Sequence, residues 1–194
     1  MDRPVIILGL GNPLMGDDGA GLAALEALRA HCDFGAGVVL EDGGTLGLEL
    51  LPLVEDAGSL LVLDAVRLGG AAGTTVVRTG DQIPRCFSHK LSPHQIGFRE
   101  TLALAGLRGN LPRRFTLVGV EVTAALYAEP LSPTVLRALP AMVAAAIAQL
   151  ASWGCAARPN LLPRPNPLFG SLWGYGPDGP PSLQAGKAIR GTVA

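Results

Sequence analysis

Charged side chains are scarce in this sequence. Asp, Glu, Lys and Arg together make up 16% of the 194 residues, and the net charge is -1. Nucleic-acid-binding domains carry clusters of Lys and Arg, and proteins that dock on anionic surfaces carry runs of one charge. Neither pattern is found here, so we expect no nucleic-acid partner.

Cysteine is also rare. The chain has three cysteines, Cys32, Cys86 and Cys155, which are widely spaced and form no Cys-x-x-Cys pair. An odd number of isolated cysteines favours free thiols in a reducing compartment over disulfides or a structural zinc site. We therefore expect a cytoplasmic protein.

Targeting and membrane-spanning segments are not evident. Asp2 and Arg3 lead directly into an apolar strand, without the basic, apolar and cleavage regions of a secretory signal. The uncharged stretch from Ala138 to Cys155 is alanine-rich, contains Pro140 and is marginal in length for a membrane span. We expect it to form a buried helix, with no membrane insertion.

Several familiar catalytic motifs are missing. The sequence has no His-Glu-x-x-His, no Gly-x-Ser-x-Gly and no phosphate-binding Gly-Lys-Ser or Gly-Lys-Thr. Gly9 and Gly11 begin a dinucleotide-binding pattern, but its third glycine is replaced by Leu14. The pattern therefore fails, and we expect no organic cofactor.

Apolar runs alternate with helical patterns along most of the chain. Hydrophobic residues make up 48% of the sequence, enough for a sizeable core in one domain. Such alternation predicts an α/β protein, a three-layer α/β/α sandwich. We predict strands near 5–8, 37–40, 60–63, 74–77 and 115–120, a turn at 41–45, and helices over 20–30, 48–54, from 93 and from 133.

Two features refine this arrangement. The connection between the strands at 60–63 and 74–77 is too short for a crossover helix, so these strands should not be parallel neighbours. Residues 155–194 contain seven prolines and six glycines and show no periodicity. We therefore divide the chain into a domain at 1–154 and a Pro/Gly-rich, mobile or loosely docked tail at 155–194.

Polar side chains that suit a metal follow the predicted strands or begin helices. They are Asp17 and Asp18 after the first strand, Asp64 after the central apolar strand, and His94 at a helix start. Ligands of open α/β sheets bind at the carboxyl ends of the strands. Two carboxylates and an imidazole form a plausible ligand set for a divalent transition metal. Spacing alone does not exclude capping or turn roles for the same residues.

Other histidines are weaker candidates. His89 is a possible alternative ligand, but no predicted element fixes its position. His31 follows the first predicted helix, where a solvated residue at a helix carboxyl end is the simplest interpretation.

Four motifs follow one another along the chain. They are Gly-Asn-Pro-Leu-Met-Gly-Asp-Asp-Gly-Ala-Gly at 11–21, Asp-Gly-Gly-Thr at 42–45, Leu-Asp-Ala at 63–65 and Ser-Pro-His-Gln-Ile-Gly at 92–97. Taken in this order, they resemble the nickel-iron hydrogenase maturation endopeptidases. The resemblance covers about residues 4–152. The family's metal-contacting and catalytic positions match Asp18, Asp64 and His94. The first of them is glutamate in some members, which leaves open whether Asp17 shares the role of Asp18.

The resemblance implies a fold and a reaction. The fold is a mixed, mostly parallel five-stranded sheet with one antiparallel strand between helical layers. The reaction is removal of a short C-terminal extension from the hydrogenase large-subunit precursor, once nickel has been inserted. The enzyme recognises that nickel, which the substrate carries, so the metal is bound transiently. A metal-polarised carbonyl or a metal-bound water is the natural means of attack.

Two alternatives stay open at this point. The first is a non-catalytic nickel-binding chaperone or adaptor that docks on the same precursor without cutting it. Gly-Leu-Gly-Asn-Pro at 9–13 also resembles the start of peptidyl-tRNA hydrolases. The residues that should follow are replaced by Leu14 to Asp18, however, and the low positive charge is unsuited to RNA.

Overall fold

The computed structural model of the chain describes residues 3–86 and 93–159. Its strands are β1 Val5–Leu10, β2 Cys32–Asp33, β3 Val38–Gly44, β4 Ser59–Val66, β5 Thr75–Thr79, β6 Arg114–Glu121 and β7 Arg158–Pro159. Its α-helices are α1 Ala20–His31, α2 Leu51–Asp56, α3 Ile83–Cys86, α4 Pro93–Leu107 and α5 Pro133–Ser152. Short 3-10 segments lie at Pro13–Gly19, Gly47–Leu50 and Gly80–Gln82. The predicted alternation of strands and helices is confirmed.

The main sheet has five strands in the order β3-β1-β4-β6-β5. The pairs β1 with β3, β1 with β4 and β4 with β6 are parallel, whereas β5 pairs antiparallel with β6. The mixed sheet with one antiparallel strand is thus confirmed. Because β6 separates β4 from β5, the prediction that these two strands are not parallel neighbours is also correct.

Helices cover both faces of the sheet. One face packs its apolar side chains against α1 and α5, and the opposite face packs against α2 and α4. In β4 the side chains alternate, so Leu61 and Leu63 lie in the first core while Leu60 and Val62 lie in the second. Every residue of β4 is buried, as expected of a central strand covered on both sides. The three-layer sandwich is therefore confirmed.

The Asp-Gly-Gly-Thr motif is not the turn that the sequence predicts. Strand β3 continues to Gly44 because its backbone pairs in parallel with β1 up to Leu10, across an irregularity after Gly9. The following helix is divided into a 3-10 turn and α2. Pro52 stands in the first turn of α2, where its missing N–H group costs no helical hydrogen bond.

Helix α5 begins where the Ser-Pro pair predicts. The Ser132 hydroxyl accepts a hydrogen bond from the Val135 amide at 3.3 Å, and Pro133 is the first helical residue. Within the described residues, α5 is the helix that by length and composition could cross a membrane. Several of its apolar residues, among them Leu139, Met142 and Val143, are buried against the sheet and α1.

The start of the predicted tail lies within the described residues. Strand β7 pairs antiparallel with β2, and the Cys155 amide donates to the Leu150 carbonyl at 2.9 Å. Residues 160–194 lie outside the described part of the chain. The division at residue 154 therefore stays a prediction.

Candidate functional site

Asp18 and Asp64 come from different elements that meet at the carboxyl edge of the parallel strands. Asp64 is the sixth residue of β4, directly after Leu63, and Asp18 lies three residues before Gly21 of α1. Gly21 touches this edge: a Cβ atom there would lie 2.2 Å from the Leu63 carbonyl oxygen and 2.4 Å from that of Leu10. The first turn of α1 therefore packs directly on the ends of β1 and β4, which brings the Asp18 segment to Asp64.

Asp18 is held by the loop that precedes it. Its side chain is fully buried, and Oδ2 accepts a hydrogen bond from the Asn12 amide at 2.9 Å. A Cβ atom on Gly11 would lie 1.9 Å from the Asp18 carbonyl oxygen, so only glycine permits this close approach. The Asn12 side chain accepts from the Leu14 amide at 3.0 Å and starts the 3-10 segment. The glycine-lined loop thus fixes a buried carboxylate at the strand edge.

Asp64 is oriented by a residue from α4. Both Asp64 and Gln95 are fully buried. The Gln95 Nε2 group donates to Asp64 Oδ2 at 3.1 Å and to the Ala65 carbonyl at 2.9 Å, while Asp64 Oδ1 accepts from the Ala65 amide at 2.8 Å. Gln95 therefore connects the first turn of α4 to the end of β4. Gln95 belongs to the motif at 92–97, but no local pattern in the sequence predicts that it binds Asp64.

His94 is the second residue of α4 and directly precedes Gln95. The backbone therefore places His94 in the helical turn that packs on Asp64. Among the side chains that the structure describes, no group of three His, Cys, Asp and Glu residues forms a metal site. The His94 side chain and all of His89 lie outside that set, so the shared metal site of Asp18, Asp64 and His94 stays a prediction.

Asp17 performs a different task from its neighbour. It is half-buried, and its Oδ1 atom accepts a hydrogen bond from the Ser132 amide at 2.6 Å. Ser132 is the N-cap of α5, so Asp17 connects the first loop to the start of the last helix. A carboxylate at a helix N-terminus is also electrostatically favourable. This contact favours a structural role for Asp17 and leaves Asp18 as the acidic member of the candidate site.

One thiol lies within electrostatic reach of Asp64. Cys86 is buried, and burial raises the pKa of its thiol; the negative charge of Asp64 raises it further, against an opposing effect of Arg78. Burial also raises the pKa of Cys32 to about 12. Both thiols are therefore protonated at neutral pH, and neither is suited to act as a nucleophile.

Two cavities of about 910 and 960 Å3 open at the opposite edge, where β1, β4 and β6 begin. They are lined in part by Arg113 and Arg114, and neither contains Asp18 or Asp64. Within the part of the chain that the structure describes, Asp18 and Asp64 are buried carboxylates near the helix start that bears His94, and carboxylate and imidazole groups have the chemistry to contact a divalent cation.

Known proteins support the resemblance. The model of the hydrogenase maturation protease family matches residues 22–149. The chain is 40% identical over 152 residues to the hydrogenase expression/formation protein HupD of Rhodobacter capsulatus, covering 77% of this chain and 72% of that protein. A second HupD, from Rhizobium leguminosarum bv. viciae, is 37% identical over 160 residues, with 80% and 79% covered.

Solved structures agree with these sequence matches. The hydrogenase maturating endopeptidase HybD from E. coli superposes with a TM-score of 0.77 at 32% identity, covering 81% of this chain and 98% of that one. The [NiFe] hydrogenase maturation protease HybD from Thermococcus kodakarensis gives a TM-score of 0.59 at 26% identity, with 78% and 99% covered. Family model, relatives and fold agree, and the chain belongs to the hydrogenase maturation proteases, a family of peptidases.

Proposed function

We propose that this peptidase removes the C-terminal extension of a nickel-iron hydrogenase large-subunit precursor after nickel has been inserted. The observation that carries the proposal is the packing of the segment that bears the buried Asp18 on the strand end that bears the buried Asp64, which Gln95 ties to the start of α4. Family membership supports the peptidase activity and the link to hydrogenase maturation. The precursor is the partner, and no organic cofactor is part of the proposal.

The site is suited to recognising a metal that the substrate carries. In our proposal Asp18, Asp64 and His94 contact the nickel of the precursor. A divalent cation beside buried carboxylates is strongly attracted to them, because the low dielectric of the interior screens the charges little. A precursor without nickel lacks this attraction, so it should bind and react poorly. Gln95 supports this selectivity by holding the Asp64 carboxylate in one orientation.

Cleavage then follows from positioning. A divalent metal polarises a nearby carbonyl, which favours attack on it. Asp18, Asp64 and His94 hold the precursor so that the bond to be cut lies against the strand edge. We propose water as the attacking group, because the Cys86 thiol near Asp64 stays protonated. We place the reaction in the cytoplasm, where the free cysteines of the chain remain reduced.

Nickel-loaded precursor is expected to lose its C-terminal extension when it is mixed with this protein, and nickel-free precursor is expected to stay intact. The physical reason is that the nickel supplies a positive charge for the two buried carboxylates to attract, and a nickel-free precursor lacks it. Intact-mass spectrometry of both precursors, followed over time, measures the outcome directly. Equal cleavage of both precursors would disprove the proposal that the enzyme recognises the nickel of the precursor.

The same experiment separates a peptidase from an adaptor. If the protein forms a complex with loaded precursor but the precursor mass never changes, the non-catalytic adaptor is the correct function. For substitutions of the candidate carboxylates, the matched control is Asp81→Asn. Asp81 is an exposed carboxylate on the 3-10 segment at the opposite edge of the sheet.

Alkylation with iodoacetamide at neutral pH is expected to leave processing unchanged. Cys32 and Cys86 are buried with raised pKa values, so the reactive thiolate is scarce at any pH below those values. Intact-mass measurement should find at most one alkyl group, on the half-buried Cys155. The unfolded chain in urea should take up three, one for each cysteine. Rapid alkylation of Cys86 with loss of processing would point instead to a cysteine nucleophile.

A further inference from the structure

The connection from β4 to β5, residues 67–74, crosses the end of β6. Strand β6 lies between β4 and β5 in the sheet, so the chain that leaves β4 must pass over β6 before β5 begins. Strand β4 runs parallel to β6 and β5 runs antiparallel to it. The crossing therefore takes place at the carboxyl edge, the same edge that carries Asp64.

One buried carboxylate fixes this crossing. Glu121 is the last residue of β6 and is only 2% exposed. Its Oε1 atom accepts hydrogen bonds from the amides of Leu68, Gly69 and Gly70, at 2.8, 2.8 and 3.0 Å. Its Oε2 atom is buried and has no hydrogen-bond partner among the described residues. Within residues 3–86 and 93–159, the polar contacts of this side chain are thus made to the backbone of one short connection.

The backbone of Glu121 holds the same segment. The Glu121 amide donates to the Thr74 carbonyl at 2.9 Å, and the Glu121 carbonyl accepts from the Gly73 amide at 2.8 Å. Main chain and side chain together tie both ends of the connection to β6. Glu121 also pairs in register with Val66, two residues beyond Asp64, on the sheet face that includes Asp64. The connection therefore begins beside the candidate site and is held there.

Core stability does not explain why the Glu121 carboxylate is buried. A residue that contributes only apolar packing would fill the same space without the cost of desolvating a carboxyl group. Three converging N–H groups offset that cost only while the connection keeps its observed path. The arrangement is suited to holding three exposed or half-exposed residues, 68–70, in one conformation at the edge of the sheet.

We propose that Glu121 is a positioning residue: it fixes residues 68–70 at the carboxyl edge of the sheet, as a surface beside Asp64 on which the precursor chain lies. The inference rests on the proposed function, since this surface adjoins the candidate residues of that function. Glu121 does not contact the reacting bond in this proposal. It acts through the backbone of the connection, which the extended chain of the precursor meets beside Asp64.

The first test measures whether Glu121 holds the connection, and it needs no substrate. Hydrogen–deuterium exchange of the full chain is compared for wild type, Glu121→Leu and Glu121→Gln. In Glu121→Leu the amides of residues 68–70 should exchange at least about tenfold faster, since their acceptor is lost, while those of β1 keep their wild-type rates. Glu121→Gln should stay near wild type, because its amide oxygen still accepts the three hydrogen bonds.

The second test measures the effect on substrate, using nickel-loaded large-subunit precursor. In Glu121→Leu the KM for cleavage should rise about fivefold or more while kcat changes less than about threefold, because binding is weakened and the reacting groups are kept. Glu121→Gln should restore KM to within about twofold of wild type. The control is Ser59→Ala, which removes a buried hydroxyl from the other end of β4, where it accepts a hydrogen bond from Arg114.

A further variant keeps the test decisive if Glu121→Leu does not fold. Gly69 has a φ of +89° and open space around its Cα atom, so Gly69→Ala strains the connection without touching the core. It should raise KM in the same direction. Unchanged exchange at 68–70 in Glu121→Leu, or faster exchange with an unchanged KM, would overturn the proposal. If wild-type protein fails to cleave loaded precursor, the proposed function fails, and the exchange measurement still decides whether Glu121 holds the connection.

Discussion

Replacement of Asp64 by asparagine is expected to lower processing of nickel-loaded precursor to below about a thousandth of the wild-type rate. Asparagine preserves the size of the side chain and keeps one of the two acceptor oxygens, so it retains the hydrogen bond from Gln95 or the one from the Ala65 amide, and we expect the fold to be kept. The charge that we propose for contact with nickel is lost. The measurement is the rate of precursor shortening by mass spectrometry, with circular dichroism as the control for folding.

The companion variants test whether the three residues act on one ion. His94→Ala should be as damaging as Asp64→Asn, and the double variant should be scarcely worse than either single one, because one interaction is lost in each case. His89→Ala should have a much smaller effect. Near-normal cleavage by His94→Ala would refute the shared site. Multiplicative losses in the double variant would indicate separate roles, such as Asp64 as a general base.

A single methyl group on Gly21 is expected to destabilise the whole domain. The Cβ atom of Gly21→Ala would lie 2.2 Å from the Leu63 carbonyl oxygen and 2.4 Å from the Leu10 carbonyl oxygen. Both atoms belong to the backbone of buried strands, so no side chain can move to make room. Helix α1 must shift instead, although it carries Leu25 and Leu28 in the core. We expect a loss of about 3 kcal/mol in the free energy of unfolding, the upper part of the range for overpacked cores.

The matched control for Gly21 is Gly37→Ala. A Cβ atom on Gly37 would meet nothing within 4 Å, and its φ is not in the left-handed region. This variant should unfold within about 0.5 kcal/mol of wild type, as a typical surface substitution does. For Gly21→Ala a loss of about 3 kcal/mol corresponds to a fall of roughly 10 °C in the melting midpoint of a domain of this size. A midpoint equal to that of wild type would show that α1 can move without cost.

The effect of Gly21→Ala should extend to function. Asp18 lies three residues before Gly21, so a displacement of α1 also displaces the candidate carboxylate. Processing by the folded fraction of Gly21→Ala should therefore fall as well. Gly37→Ala, at the start of β3 on the other edge, should process precursor normally.

Much of the architecture follows from local sequence. The apolar run at 60–63, the Ser-Pro pair at 132–133 and the pattern of helix α1 each specify an element through residues within a few positions of one another. Hydrophobic periodicity and capping act over one or two turns, which is why such patterns are readable without a structure. The short connection after β4 likewise excludes a crossover helix by its length alone.

The boundaries that the sequence misses depend on pairing between strands. Strand β3 extends through Asp42 and Gly43 because β1 supplies hydrogen-bonding partners there, whereas the local composition of this stretch favours a turn. The neighbour that overrides this local preference lies more than thirty residues earlier in the chain. Periodicity within a short window contains no information about such a partner.

The sequence by itself determined the layered α/β fold, the family resemblance and the candidate residues Asp18, Asp64 and His94. Only the tertiary structure decided the long-range hydrogen bonds around these residues. They join Gln95 to Asp64, Asp17 to Ser132, and Glu121 to residues 68–70. These contacts join residues that are 31, 115 and 51 to 53 positions apart. Hydrogen bonds over such separations are created by the order of strands in the sheet and the packing of helices on it, which no local pattern of residues encodes.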